Sequence, residues 1–284
     1  MRKKRSFLLA ILVVGLIVIF LTVIKSFIPL GEKVAVVEIK GLITESRSVI
    51  DRIIKFKKDK TVKAIVLRIE TPGGAVGPSQ EIYREVRKAG QVKKVVASMG
   101  AVAASGGYYV SSAAHKIFAN PGTITGSIGV VAEFSNIEEI LKKVGLKTVT
   151  IKSGDFKDIG SPLREMTSEE HQLIKGIIDG VHKQFIRAVA EGRNLPIEAV
   201  EKIADGRILT GEQAKELGLI DQLGNLQDAI TLASQLAGIK GEPHIIYPEK
   251  KRPSVWDFLL GALLQKGTNI PFSHSYNLWY IINQ

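Results

Sequence analysis

Small residues surround one serine near the middle of the chain. Ser105 follows the apolar segment Lys94–Ser98, a predicted strand, and precedes Tyr108–Ala113, where a helix is predicted to begin. A tight turn of this kind exposes the hydroxyl and leaves bare backbone beside it, as a nucleophilic serine requires. Ala103 stands where the usual nucleophile turn has glycine. A helix that begins close against a sheet has the same composition, so both interpretations stand at this point.

A second glycine-rich turn could bind the oxyanion of an acyl-transfer reaction. Glu70–Gly74 ends one predicted strand and precedes a helix, so its backbone amides can donate to an anion. Neither glycine pattern of nucleotide-binding loops is present, which disfavours a phosphate site. The Gly106 amide would lie beside Ser105 as a second donor. Two backbone donors that converge on one carbonyl oxygen are typical of acyl transfer.

A nucleophilic serine also needs a general base. Five histidines are present, and none follows a glycine-rich turn or a strand end: His115, His171, His182, His244 and His274. His171 and His182 fall on a long charged helix, where we expect solvated side chains. Histidine catalysis is therefore not favoured by the sequence pattern.

A lysine is the alternative base, and it must be neutral at working pH, which burial favours. Lys157 lies between Phe156 and Ile159 in a turn that could fold it inward. Asp155 and Asp158 favour the protonated amine, so they would have to point away or pair elsewhere. The residues by themselves fit a surface lysine better than a catalytic one.

The N-terminal segment resembles an uncleaved membrane anchor. Arg2–Arg5 is basic and precedes the uncharged run Phe7–Ile24, which at about 1.5 Å per residue is close to the roughly 30 Å hydrocarbon core. A cleaved signal peptide usually has a shorter apolar region and a small-residue cleavage site, which is missing from Lys25–Leu30. The basic cluster predicts a cytoplasmic N-terminus and places everything after Leu30 on the extracytoplasmic side.

Composition excludes several classes of protein. The 284 residues carry a formal net charge of +11 and no cysteine, so disulfides and thiolate metal sites are excluded. Only 6% of the residues are aromatic, and no basic stripe alternates with aromatics, so we expect no nucleic-acid partner. A surface near anionic lipid accounts for the charge equally well.

Strands alternate with helices along the body of the chain, which predicts an α/β fold with much parallel sheet. Strands are predicted at 34–39, 62–69, 94–98, 116–119 and 147–151, and helices at 46–58, 79–88, 137–144, 167–191 and 225–236. Three regions follow: an N-terminus and anchor (1–30), a catalytic domain (31–247) and a tail (248–284) whose segment Val255–Leu264 is apolar and helical in pattern.

Six stretches in this order and spacing resemble the signal peptide peptidase SppA family, which comprises membrane-anchored proteases with a serine–lysine dyad. They are Thr71–Gly74, Ala103–Tyr109, Thr125–Val130, Lys152–Pro162, Arg164–Thr167 and Ala204–Arg207. The resemblance covers the chain from about Val34 to Gly224 and is to the short form with a single catalytic domain. It implies a ClpP/crotonase-like spiral of strand–strand–helix units behind an N-terminal transmembrane helix.

The resemblance also implies roles for single residues. Ser105 is the implied nucleophile, Lys157 the general base, and Ser127 the hydroxyl that orients the lysine amine. Gly74 and Gly106 are the implied oxyanion donors, and no cofactor or metal is called for. Short-form members assemble into homo-oligomeric rings, so the resemblance implies a ring in which Lys157 could meet the serine of a neighbouring subunit. Its substrates are signal-peptide remnants left in the membrane.

Three other functions stay open at this level. One is a related membrane protease that cleaves a stomatin-like partner. Another is a crotonase-type acyl-CoA enzyme, which would use a carboxylate and would not usually carry an anchor. The last is a non-catalytic membrane scaffold on the same fold.

The apolar tail after Pro248 is expected either to pack on the membrane or a neighbouring subunit, or to reach an active site as self-substrate.

Overall fold

The computed structural model describes residues 12–20 and 32–247, together with the backbone of residues 279–281. Helix α1 covers residues 12–20. Within these ranges, no helix has the length and apolarity that crossing a bilayer requires. The anchor predicted at Phe7–Ile24 extends beyond the described residues on both sides. The apolar segment predicted at Val255–Leu264 lies outside them altogether.

Parallel strands form the centre of the domain. The strands are β1 (Lys33–Lys40), β2 (Val62–Thr71), β3 (Gly73–Ala75), β4 (Lys94–Ala103), β5 (Lys116–Ala119), β6 (Ile124–Gly126), β7 (Ile208–Thr210), β8 (Gln222–Leu223), β9 (His244–Ile246) and β10 (Trp279–Ile281). Eight of them form one sheet in the order β7-β6-β4-β2-β1-β9, with β5 beside β4 and β8 beside β5. Every pairing in this sheet is parallel except β6 with β7. The predicted α/β class with much parallel sheet is confirmed.

Helices cover both faces of the sheet, as the apolar strands require. They are α2 (Arg47–Lys58), α3 (Val76–Gly90), α4 (Gly106–Ser111), α5 (Glu138–Lys143), α6 (Ser168–Arg193), α7 (Ile197–Glu201), α8 (Gly211–Glu216) and α9 (Leu226–Leu236). The larger apolar cluster joins α2, α3 and α6 to alternate strand residues such as Val37 and Leu67. The smaller one packs α9 against Val36 and Val66 on the other face.

Strand β4 brings the serine turn to the edge where the parallel strands end. It runs to Ala103, five residues beyond the predicted end at Ser98, because β2 pairs with it as far as Ala103. Its first half pairs with β5, and Val102 pairs with Ile124 of β6. The last residues of β2, β4 and β6 therefore lie together at the carboxyl edge of this sheet.

Two other predicted elements differ from the structure. The strand predicted at Lys147–Ile151 is wrong: the segment is irregular, and Val149 and Ile151 are 83% and 96% exposed. A strand needs a partner for its backbone groups, and none of the described strands lies beside this segment. Helix α3 begins at Val76 rather than Ser79, because Pro78 falls in its first turn, where the missing N–H costs nothing.

Tyr108 connects the helix after the serine turn to the end of α8. Its ring is fully buried, and its hydroxyl donates to the carbonyl oxygen of Leu219 at 2.9 Å. Burial raises the pKa of this phenol well above its usual value. The hydroxyl therefore acts as a neutral donor inside the core.

We expect Tyr108→Phe to lower the free energy of unfolding by about 1–2 kcal/mol, because it removes this hydrogen bond and leaves a buried carbonyl unpaired. Denaturant unfolding of the purified protein measures the change. Tyr247→Phe is the matched control: its phenol is 48% exposed, so the expected change is within about 0.5 kcal/mol. Equal effects of the two substitutions would contradict the assignment.

Candidate active site

Ser105 occupies a strained turn between β4 and α4. Its φ is +52° and its ψ −115°, a conformation that residues with side chains rarely adopt. The residue is 1% exposed, and its Oγ has no hydrogen-bond partner among the described residues. Strain of this kind persists only where the surroundings impose it, and it is common at functional sites. The hydroxyl performs no structural role here and is available for chemistry.

Backbone hydrogen bonds from three segments hold this turn. The Ser105 amide donates to the carbonyl oxygen of Gly126 at 2.8 Å, and the Ala104 amide donates to that of Thr71 at 3.1 Å. The Ser105 carbonyl oxygen accepts from Tyr109 at 2.8 Å. The ends of β2, β4 and β6 thus converge on one residue.

The two predicted oxyanion donors flank the serine turn. Gly106 is the first residue of α4, and no acceptor in the described part of the chain takes its amide hydrogen. Gly74 lies in β3. The Ile43 amide donates to the Gly73 carbonyl oxygen at 2.8 Å, and the Ala75 amide donates to the Ile43 carbonyl oxygen at 2.7 Å. Because neighbouring residues of a strand point their backbone groups to opposite sides, the Gly74 amide points away from Ile43.

Close backbone contacts explain why glycine is needed at this site. A side chain at Gly74 would collide with the backbone of Ile43. A Cβ at Gly107 would come within 2.7 Å of Cγ2 of Thr71. The Thr71 hydroxyl in turn accepts from the Gly73 amide at 3.0 Å and shapes the turn into β3. These contacts keep β3 and the start of α4 adjacent.

The C-terminal strand β10 covers the free edge of β3. The pair is antiparallel, with Tyr280 opposite Gly74 and Ile281 opposite Gly73. The backbone groups of Gly74 that point away from Ile43 therefore face β10. An extended peptide could add to this edge in the same way, as in other complexes that form by strand addition.

Ser127 lies directly after the residue that accepts the Ser105 amide. It also has a positive φ, +50°, and its own amide donates to the carbonyl oxygen of Arg207 at 2.8 Å. The side chain of Thr125 donates to the Ala103 carbonyl at 2.8 Å and fixes β6 against β4. The structure thus brings Ser127 to the serine turn.

His182 is a residue that the sequence analysis placed wrongly. We expected a solvated side chain, but its Nε2 is buried and has no partner among the described residues. It lines a cleft together with Ser127, Lys175, Asp179 and Asp205. The spacing of Lys175, Asp179 and His182 on α6 puts them on one helical face, and this signal could have located the histidine.

Lys157 is not joined to Ser105 within one chain. It is exposed, and its amide donates to Gly154 at 3.1 Å as part of a series of turns. In the described residues its amine has no hydrogen-bond or ion-pair partner. Large apolar side chains near it are also exposed: Phe156 by 49% and Ile151 by 96%.

An ion cluster lies beside Lys157 and involves two residues to which the sequence analysis assigned no role at the site, Arg164 and Glu170. Asp158 accepts from Arg164 and from Lys152, and Arg164 also donates to Glu170. The Arg164 guanidinium, followed by Lys152, holds the pKa of the Asp158 carboxyl well below its usual range. Arg164 likewise lowers the pKa of Glu170 to about 2. The spacing Thr167-x-x-Glu170 before a helical run is the signal of a capping box at this point.

The described side chains contain no cluster of His, Asp and Glu that is arranged to hold a metal ion. The site contains a hydroxyl in a strained turn, backbone amides on either side of it, and a strand edge to which a peptide could add. Acyl transfer to a serine requires groups of these kinds.

Comparison with known proteins gives the family. The model of peptidase family S49 matches residues 87–240. The putative protease slr0021 of Synechocystis sp. is 46% identical over 209 residues, which cover 73% of this chain and 76% of that protein. The putative protease MJ0651 of Methanocaldococcus jannaschii is 36% identical over 225 residues, 78% and 72% of the two chains. A putative signal peptide peptidase SppA of Enterococcus faecium is 41% identical over 180 residues, 62% and 52%. The chain belongs to peptidase family S49.

Proposed function

We propose that this serine peptidase is a membrane-anchored endopeptidase that degrades remnant signal peptides, with Ser105 as nucleophile and Lys157 as general base. The observation that carries the proposal is the buried, unpartnered Ser105 hydroxyl in a strained turn beside the unpaired Gly106 amide. The name of the Enterococcus relative, a putative signal peptide peptidase, supports the substrate class.

The reaction follows from these groups. The neutral Lys157 amine takes the Ser105 proton as Oγ attacks the peptide carbonyl, and the Ser127 hydroxyl orients the amine. The amides of Gly74 and Gly106 hold the oxyanion, each worth about 3 kcal/mol in the transition state. The protonated lysine then gives its proton to the leaving amine, and water releases the acyl-enzyme.

The same proposal covers the finer architecture. The parallel strands β1, β2 and β4 alternate with helices along the chain, and short strands pair with β4. This arrangement supports a ClpP/crotonase-like spiral. The basic and apolar pattern of residues 2–24 supports a single N-terminal span, with the catalytic domain on the extracytoplasmic side of the cell membrane.

Assembly would complete the site. Lys157 lies on an exposed segment whose apolar side chains have little to pack against, and no described side chain forms a hydrogen bond with the Ser105 hydroxyl. A contiguous apolar surface of this kind marks a protein contact. We therefore place Lys157 against the Ser105 of a neighbouring subunit in a homo-oligomeric ring.

The dyad is tested by substitution in the full-length protein, with an unstructured apolar peptide as substrate. We expect Ser105→Ala and Lys157→Ala each to lower kcat/KM by about 10³-fold or more, because each removes a group that acts in every turnover. Ser48→Ala and Lys240→Met are matched controls on exposed side chains and should keep wild-type activity.

Oligomer size is checked for each variant. His182→Gln should stay active; its inactivity, with Lys157→Ala active, would move the base to the histidine. A wild-type protein that assembles but neither cleaves peptides nor reacts with a serine-directed phosphonate would indicate a scaffold.

Mixing the two inactive variants tests whether the site is shared between subunits. If Lys157 serves a neighbouring Ser105, co-assembled Ser105→Ala and Lys157→Ala subunits should regain about a quarter of wild-type activity, the share of contacts that unite both intact residues. Activity is measured after dissociation and reassembly of the mixture. A mixture as inactive as its components would place both residues in one chain.

Deletion of residues 279–284 tests the role of β10. The deletion frees the β3 edge, so we expect a lower KM for the peptide, because substrate no longer competes with the chain's own strand. Deletion of residues 282–284 alone retains β10 and is the control. Unchanged KM and unchanged assembly after the longer deletion would show that β10 does not occupy the substrate edge.

A further inference from the structure

The position of Lys157 raises a chemical conflict under the proposed function, on which this inference rests. Asp155 and Asp158 lie two residues before and one residue after it. A carboxylate near an amine favours the protonated amine, which cannot act as a base. The surroundings of these carboxylates therefore decide whether the lysine can work.

Asp158 is fully engaged by cations. Its Oδ1 accepts from Nζ of Lys152 at 2.6 Å and from a terminal nitrogen of Arg164 at 2.8 Å. Its Oδ2 accepts from Nε of Arg164 at 2.9 Å. The side chain is only 15% exposed. A two-point contact between guanidinium and carboxylate fixes orientation as well as charge.

Arg164 makes a second two-point contact on its other side. Its terminal nitrogens donate to Oε2 and Oε1 of Glu170 at 2.8 and 2.5 Å. Glu170 is 2% exposed, and it also accepts from the Thr167 amide at 2.9 Å, which closes the capping box of α6. The arginine thus ties the turn that carries Lys157 to the first turn of a 26-residue helix.

The charges of this cluster cancel. Lys152 and Arg164 carry one positive charge each, and Asp158 and Glu170 one negative charge each, so the four side chains sum to zero. Other ionisable groups lie around the segment. The main-chain carbonyls of Asp155 and Glu165 accept from Lys152 and Arg164, respectively. Glu138 and Glu139 of α5 both pair with Lys142, and α6 contributes Glu169 and His171.

We propose that Arg164 is a positioning residue for Lys157, because it neutralises the adjacent Asp158 and fixes the turn of the base to the N-terminus of α6. This role requires no contact between Arg164 and the substrate. The arginine acts in two ways: it compensates the negative charge of Asp158 next to the catalytic amine, and it holds the turn in one conformation.

The charge count predicts an order of pH profiles. Arg164→Gln leaves the cluster at −1, the wild type and the double variant Arg164→Gln/Asp158→Asn at 0, and Asp158→Asn at +1. A more negative cluster favours the protonated amine, so activity requires a higher pH. The acid limb of kcat/KM should move up by about 0.5–1 pH unit in Arg164→Gln and down by a similar amount in Asp158→Asn. It should return to the wild-type position in the double variant.

Arg164→Lys separates charge from geometry. It keeps the positive charge but loses the planar two-point contact, so the acid limb should stay in place while kcat falls. If Arg164→Gln does not assemble, the pH profiles of Arg164→Lys and Asp158→Asn still test the predicted order. The inference is overturned if Arg164→Gln lowers activity equally at every pH and the double variant is no better, since the arginine would then be purely structural.

A second readout separates this inference from the proposed function. In the inactive Ser105→Ala background, the titration of the Lys157 amine can be followed by NMR with 13C-labelled lysine, its signal being the one lost in Lys157→Ala. The same order of midpoints supports the role of Arg164 whether or not Lys157 is the base. Full activity of Lys157→Ala would refute the dyad alone, whereas identical midpoints in all variants would refute the role of Arg164 alone.

Discussion

The positive φ of Ser105 is the constraint on which the candidate site depends. A residue with a side chain holds this conformation only when several segments impose it. Here the carbonyl oxygens of Gly126 and Thr71 take the two consecutive amides of the turn, at the ends of β6 and β2. The sheet must therefore form before the hydroxyl can be presented. The next amide, that of Gly106, has no acceptor in the described part of the chain and is available to a substrate.

The candidate site has one buried part and one exposed part. The serine turn, β3 and Ser127 belong to the buried edge of the sheet, whereas Lys157 lies on a segment whose apolar side chains face outward. Within that segment, only the ion cluster around Arg164 supplies strong internal contacts. Under the proposed function, this division would make activity depend on contact between chains, because an isolated subunit would hold a nucleophile without its base.

Much of the fold was predictable because its signals are local. Apolar runs located β1 and β2, and the helix starts predicted at Thr167 and Asn225 lie within one residue of the starts of α6 and α9. Glycines around Ser105 located the nucleophile turn. The strand predicted at 147–151 failed because its alternating pattern says nothing about whether a partner strand exists. The three residues of β3 have no apolar pattern, and only their pairing makes them a strand.

Parts of the candidate site depend on contacts between distant residues, and these could not be read locally. The pairing of Asp158 with Arg164 spans six residues of irregular chain, and each residue alone fits a solvated surface. Nε2 of His182 is buried, and the histidine lines a cleft with Ser127 and Asp205, which are distant from it in sequence. In both cases the residue type was visible in the sequence, but its environment was supplied by the tertiary fold.

The pairing of β10 with β3 has a consequence for what the enzyme can attack. A chain that replaces β10 must offer at least three consecutive residues with free backbone donors and acceptors. A helix satisfies these groups internally, and within a bilayer it cannot give them up without a cost of several kcal/mol for each group. If substrate binds at this edge as proposed, unwinding would have to come first, where water can solvate the released groups. The strand edge would then select substrates by conformation and would reject intact transmembrane helices and folded domains whatever their sequence.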